Sequence, residues 1–240
     1  MKKYDINDST SYILGISLII EALKEIPNKV KKVYLSSKAN KNKELDKLVS
    51  LCMKNNILII NDDKTIDSLS LKENCYGIAV FDKYEFKLTT NKHLVLYGFD
   101  LEGDIGTILR SAVSFDFKDI VLIDSNIDLF NPKLIRASMG SFFHLNIKQY
   151  NSYDDYFKEF KYNKYPFASK GKYELSNIII KEPYSIIISN TNSNIEDAFK
   201  DVYYVKHKND DDLSLTSLSS IVLNYAYHQS VCDTNSVCKD

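Results

Sequence analysis

From His93 onward, short uniformly apolar runs alternate with amphipathic ones, and this alternation leaves few folds open to the chain. HLVLYGF, DIVLID, HLNIKQY, YPFASK and SIIISN read as strands, and IGTILRSAVSFDF, NPKLIRASMGSFF, SYDDYFKEFKYN and SLTSLSSIVLNYAYHQS as helices. Strands that are apolar at nearly every position are buried on both faces. The expected architecture is therefore α/β, with a mostly parallel sheet covered by helices. In such sheets a ligand sits beyond the carboxyl ends of the strands, which directs attention to the residues after LVLYGF, after SIIISN and before the last helix.

The first 80 residues carry a shorter alternation. SYILGISLIIEALKE is expected as one helix, KKVYLSS as a strand, NKELDKLVSLCMKNN as a second helix, and ILIIN and CYGIAVFDKY as strands. FKLTTNKH is polar and lacks periodicity, so it reads as a linker. Two domains are expected, residues 1–90 and 91–240.

Charge and cysteine usage narrow the function class. The 240 residues carry a formal net charge of −1, unevenly placed: residues 1–92 hold 16 Lys against 12 Asp and Glu, a net of +4, and the remainder nets −5. If the partner is a polyanion, the amino-terminal part should dock it; the bland alternative is a solvated lysine face. No apolar run approaches the ~20 residues of a membrane span, and the start MKKYDINDST leads into no signal core, so a cytoplasmic protein is expected. Cys52, Cys75, Cys232 and Cys238 lack metal-ligand spacing and are expected as reduced thiols, with no metal site.

Arginine occurs only twice among the 31 basic residues, as Arg110 in GDIGTILRSA and Arg136 in IRASMG. Guanidinium is a fixed fork of donors that grips phosphate or carboxylate bidentately, whereas ammonium is a mobile point charge. Both are candidate site residues, with survival by drift as the alternative. Gly103 and Gly106 are expected to form a tight turn into a helix, placing Arg110 about one turn in, where it can lean back over free backbone N–H groups.

The order of these segments resembles the SpoU/TrmH branch of the SPOUT RNA methyltransferases. The family's first motif, N-x-G-x-x-x-R-[ST]-A, reads here from Asp104 through Gly106 and Arg110 to Ala112, and its intermediate signature reads RASMGSFFHL from Arg136 to Leu145. The amino-terminal part looks like the small substrate-binding domain often fused to these enzymes. The resemblance implies a trefoil-knotted α/β domain, a homodimer, S-adenosylmethionine as cofactor, and methyl transfer to a ribose 2′-hydroxyl of rRNA or tRNA. It gives Arg110 the part of orienting a phosphate and helping to activate the hydroxyl, with Asp104 and Ser214 as the other catalytic candidates. Ser189, Asn190, Val205, Leu213 and Leu215 fall to cofactor binding.

The resemblance is broken at identifiable positions. Asp104 replaces an asparagine, and its charge repels phosphate. The glycine-rich second motif has become Ser189, Asn190, Thr191, Asn192 and Asn194, without its glutamate. In the third motif either Ser214 or Thr216 stands at the family asparagine, after the acidic run Asp210 to Asp212. Two functions are therefore compatible with the sequence: a divergent RNA 2′-O-methyltransferase, or a catalytically degenerate RNA-binding protein that keeps the fold and dimer. His144 is expected to pack or cap and His207 to lie at the surface, with a place beside the cofactor loop as the alternative; the tyrosines of YNSYDDYFKEFKYNKYPF are expected to serve core and surface packing rather than base stacking.

Overall fold

The computed structural model describes residues 3–70, 75–190, 195–208 and 213–235. Thr191, Asn192 and Asn194 of the second motif, the acidic run Asp210 to Asp212, and Cys238 lie outside the described residues. In chain order the first elements are β1 (Thr10–Leu14), α1 (Ile16–Glu25), β2 (Val30–Leu35), α2 (Lys43–Lys54), β3 (Leu58–Asn61), α3 (Asp63–Leu69) and β4 (Gly77–Asp82). They are followed by β5 (Lys92–Tyr97), α4 (Glu102–Ser114), β6 (Asp119–Ile123), α5 (Pro132–Ala137), β7 (Asn146–Tyr150), α6 (Tyr153–Glu159) and β8 (Asn163–Phe167). The chain continues through β9 (Tyr173–Glu174), β10 (Tyr184–Ser189), α7 (Ile195–Ala198), β11 (Tyr203–Tyr204) and α8 (Leu215–Asn235).

Two compact units form. The first comprises Met1–Glu85 together with Asp128–His144, and the second Phe86–Ile127 with Leu145–Asp240. In the first unit a four-stranded sheet runs β1-β4-β2-β3, antiparallel except for the β2–β3 pair. SYILGISLIIEALKE is not one helix. Its first residues form β1, and the break falls at Gly15, whose φ of 120° is a conformation that residues with a Cβ rarely adopt. Ser11 to Leu14 are buried throughout, so a run that fits helical spacing serves as a strand enclosed on both sides. NDDKTIDSLS contributes α3, which the apolar pattern did not announce; Asp62 caps it by accepting the Thr65 N–H.

Asp128–His144 carries the RASMG signature and belongs to this first unit. The expected long helix over NPKLIRASMGSFF ends after six residues. Met139 and Gly140 both take positive φ, 50° and 92°, and stop it, after which Ser141–His144 form a single 3₁₀ turn. Ser138, fully buried, holds this turn by donating to the Ile135 carbonyl and accepting the Phe142 N–H. His144 lies between Glu21 and Glu25 of α1, its ring nitrogens 3.2 and 3.4 Å from their carboxylates. Burial raises the Glu21 carboxyl, but Lys24 and His144 outweigh it and hold the group below the ordinary range.

In the second unit seven strands run β7-β6-β5-β10-β8-β11-β9, every pair parallel. Ile186, Ile187 and Ile188 of β10 and Leu94, Val95 and Leu96 of β5 are wholly buried, as strands covered on both faces must be. The tyrosines of YNSYDDYFKEF do pack. Tyr156 is fully buried, and Tyr97, Tyr153 and Phe157 form a column of parallel rings on one side of the sheet.

Candidate active site

β5 continues into β6 and then β7 on one side of the sheet, whereas β10 and β8 lie on the other. The winding therefore reverses between β5 and β10, and in such sheets a ligand sits outside the carboxyl ends of the strands at that point. Asn190 joins the ends of these two strands. Its backbone N–H donates to the Tyr97 carbonyl at 3.0 Å, and its side-chain amide to the Gly98 carbonyl at 3.0 Å. Gly98, at φ 71°, turns the chain away from β5. Ser125 Oγ donates to the Phe99 carbonyl and the Asn126 N–H donates to Asp100 Oδ1, so the loop leading to α4 is also tied to the end of β6. Ser189 is buried at the end of β10, its hydroxyl donating to the Asn190 carbonyl.

The helix after this loop starts earlier than the glycines imply. Glu102 is its first residue, so Gly103 and Gly106 lie within α4 and form no entry turn. Glu102 and Asp104 in the first turn complement the positive end of the helix, which favours the longer form. Arg110 accordingly lies in the third turn, about 12 Å along the axis from the helix start at ~1.5 Å per residue. That is more than two turns from the helix start, in place of the one turn expected. Arg110 instead belongs to an exposed stripe with Gly103, Thr107 and Ser114, and its guanidinium has no carboxylate partner among the described residues. Asp104 is half-buried in the first turn, on a different face.

α8 packs along α4, and the Ser111 and Ser220 hydroxyls meet at 2.8 Å between them. Ser214 is the residue before α8. Its hydroxyl accepts the Ser217 N–H at 3.2 Å, in the manner of a helix N-cap, and touches the Thr216 hydroxyl at 3.0 Å. The structure thus brings the helices of Arg110 and Ser214 side by side, and separately joins Asn190 to the start of the α4 loop. Val205, Leu213 and Leu215 are half-buried, and the Val205 carbonyl meets His207 Nδ1 at 2.9 Å.

A second polar constellation, at the opposite ends of the same strands, was not singled out from the sequence. His93, Asp119 and Ser185 are neighbours in register on β5, β6 and β10, all wholly buried. His93 Nδ1 meets the Tyr156 hydroxyl at 2.8 Å, and that hydroxyl meets Ser185 at 2.7 Å. His93 Nε2 lies 3.1 Å from the Thr90 carbonyl and 3.6 Å from Asp119, so its proton goes to the carbonyl. Asp119 accepts the N–H groups of Thr89 and Thr90 and the Asn146 amide. Burial lowers the His93 pKa, against the pull of Asp119, and the ring is neutral. The signal was present as one polar residue opening each apolar run: H-LVL, D-IVL and S-III.

The fold is that of a two-unit α/β protein with a doubly wound parallel sheet whose winding reverses between β5 and β10. The chain belongs to the SpoU methylase family. The model described as SpoU rRNA Methylase family matches residues 91–201, and that described as RNA 2′-O ribose methyltransferase substrate binding matches residues 12–86. The 23S rRNA (guanosine(2553)-2′-O)-methyltransferase RlmP of Bacillus subtilis (strain 168) is 27% identical over 201 residues, which span 82% of this chain and 78% of that one. The crystal structure of an RNA 2′-O ribose methyltransferase superposes with a TM-score of 0.77 at 18% identity, covering 93% of this chain and 90% of that one. AviRb from Streptomyces viridochromogenes, a SpoU methyltransferase solved with AdoMet, also gives 0.77, at 15% identity and with 93% and 91% coverage. At these identities the two structures speak for the fold.

Proposed function

We propose that the protein is an RNA 2′-O-methyltransferase that uses S-adenosylmethionine, with ribosomal RNA as its substrate class. The observation that carries this reading is the Asn190 clamp at the reversal between β5 and β10. It fixes the loop after β5 against the end of β10, where a parallel sheet presents backbone groups to a ligand. The relative from Bacillus subtilis supports ribosomal RNA.

The residues present suit such a cofactor. Asn190 and Ser189 set the backbone at the end of β10, and the half-buried Val205, Leu213 and Leu215 offer an apolar wall for an adenine. When bound, the cofactor supplies a sulfonium methyl group. Arg110, exposed and without an acidic partner among the described residues, engages a phosphate of the RNA through its fork and so orients the adjoining ribose. The guanidinium charge beside that ribose also stabilises the negative charge that develops on the hydroxyl oxygen as its proton passes to solvent. Ser214 acts by capping α8 and fixing the turn at its start. Asp104 stands near the helix start, where its carboxylate steers the phosphate toward Arg110 and away from the first turn.

The domains of this reading are residues 1–90 for RNA docking and 91–240 for methyl transfer, the latter with the trefoil knot. A homodimer and a cytoplasmic location belong to the same proposal. Ile221 and Tyr227 on α8 remain 39% and 36% exposed, which fits a second copy covering this helix. Among the described residues no helix is long and apolar enough to cross a membrane. The test is calorimetric titration with S-adenosylmethionine, followed by methyl transfer to ribosomal RNA with nucleoside mass spectrometry. We expect binding at micromolar to millimolar cofactor and a 2′-O-methylated nucleoside as product. A folded protein that binds RNA but neither cofactor nor methyl group would instead be a degenerate RNA-binding relative.

A further inference from the structure

The first unit contains a cavity of about 360 Å³, distant in the sequence from every residue assigned above to methyl transfer. Its volume lies within the ~300–1,000 Å³ typical of small-molecule sites. The edge strand β1 supplies Tyr12, the chain before it Lys3 and Tyr4, the end of α3 Leu69, and the start of α5 Pro132 and Lys133. Tyr4 and Tyr12 meet edge to face, their centroids 6.5 Å apart. Tyr4 is held by donating its hydroxyl to Asp128, whose other oxygen accepts the Phe130 N–H at 3.1 Å. That carboxylate is therefore engaged. Lys3 and Lys133 are exposed, and neither has a carboxylate partner among the described residues.

Resting on the reading of the protein as an RNA methyltransferase, we propose that this cavity receives one unpaired nucleobase of the RNA, with Lys3 and Lys133 gripping the flanking phosphates. Aromatic and apolar walls accept the face of a base whatever its identity. Two unpaired ammonium groups at the rim match the backbone that must run past it. A base held in a duplex cannot enter, so the cavity selects a loop or bulge. The pocket then recognises RNA in the first unit, independently of the nucleotide that is methylated in the second.

The test uses the full chain and fluorescence anisotropy with a short labelled single-stranded RNA, its fully paired duplex, and unlabelled nucleoside monophosphates as competitors. Ser68, exposed on the last turn of α3 and also lining the cavity, is replaced in S68W to fill it without changing charge. Lys133→Glu removes a rim cation while keeping a residue suited to a helix start. Lys47→Glu, on the exposed face of α2, controls for net charge. We expect S68W and K133E each to weaken single-strand binding by about tenfold, and K47E by no more than about twofold. Duplex binding should not respond to S68W, and melting temperature and cofactor titration should match the wild type in all three. Wild-type affinity in S68W, or K47E as damaging as K133E, overturns the proposal. So does an S68W effect confined to the monophosphates, which would make this a free-nucleotide site. RNA methylated by the wild type and variants alike removes only the pocket; a wild type that binds no RNA removes the RNA reading with it.

Discussion

Replacing Asn190 tests the part of the site that the tertiary structure assembled. In Asn190→Ala the amide that donates to the Gly98 carbonyl at 3.0 Å is lost, and the carbonyl of a residue held at φ 71° loses that donor. A net hydrogen bond contributes ~0.5–1.5 kcal/mol, and an acceptor stranded in a half-buried place costs ~1–3 kcal/mol, less whatever water restores. We take ~1–2 kcal/mol, which for a chain of this size is roughly 2–8 °C in Tm. If the cofactor binds only with the loop after β5 clamped to the end of β10, the same energy appears as about a 5- to 30-fold rise in Kd, at ~1.4 kcal/mol per tenfold. Asn190→Asp is sharper. It keeps the shape but turns the donor into an acceptor facing a carbonyl oxygen, so it should be at least as damaging as alanine. Thermal melts and calorimetric titration with S-adenosylmethionine give both quantities on the same samples. Wild-type cofactor affinity in N190A, or an aspartate variant better than the alanine one, would refute the clamp.

Four further outcomes are expected. Arg110→Lys should reduce methyl transfer by about 100-fold with Tm unchanged, because the residue is exposed and lysine keeps the charge but not the fork; equal turnover would remove Arg110 from the site. Tyr156→Phe strands His93 Nδ1 and the Ser185 hydroxyl in a wholly buried place and should cost ~1–3 kcal/mol by denaturant melt, whereas Tyr150→Phe, whose hydroxyl meets the exposed Glu159, should cost under about 1 kcal/mol. In the folded wild type the His93 pKa lies below its unfolded value, so the neutral ring's contribution is complete above about pH 6.5 and is lost as pH falls through the folded pKa. A chemical-denaturation series across that window should show the loss, and His93→Gln should flatten it. Ser214→Ala removes the α8 cap and should cost ~1 kcal/mol, with a smaller effect on turnover than the arginine variant.

Much of the second unit is legible in the sequence because its strands are apolar at almost every position and leave no other place for themselves than between two layers of helices. LVLY, IVLI and SIIIS each paired as expected. The errors share one cause. SYIL and DLEGDIG each carry a local pattern compatible with two conformations. SYIL became a strand because β4 pairs with it. The helix over residues 102–114 absorbed its two glycines, with acidic residues in the first turn favouring the longer form, and this moved Arg110 away from the helix start.

By itself the sequence determined the α/β class, the parallel sheet, the likeness to a family and the identity of the residues to examine, because hydrophobic periodicity and motif spacing are local properties of the chain. Only the tertiary structure decided that Asn190 clamps the loop after β5, that Ser214 caps a helix lying along the one that bears Arg110, and that Asp128–His144 joins the first unit. It also gathered His93, Asp119 and Ser185 into one buried network. Each of these pairings spans dozens of residues, and its partner is chosen by which strands lie side by side, a choice made by burying the whole sheet and written in no single stretch of it.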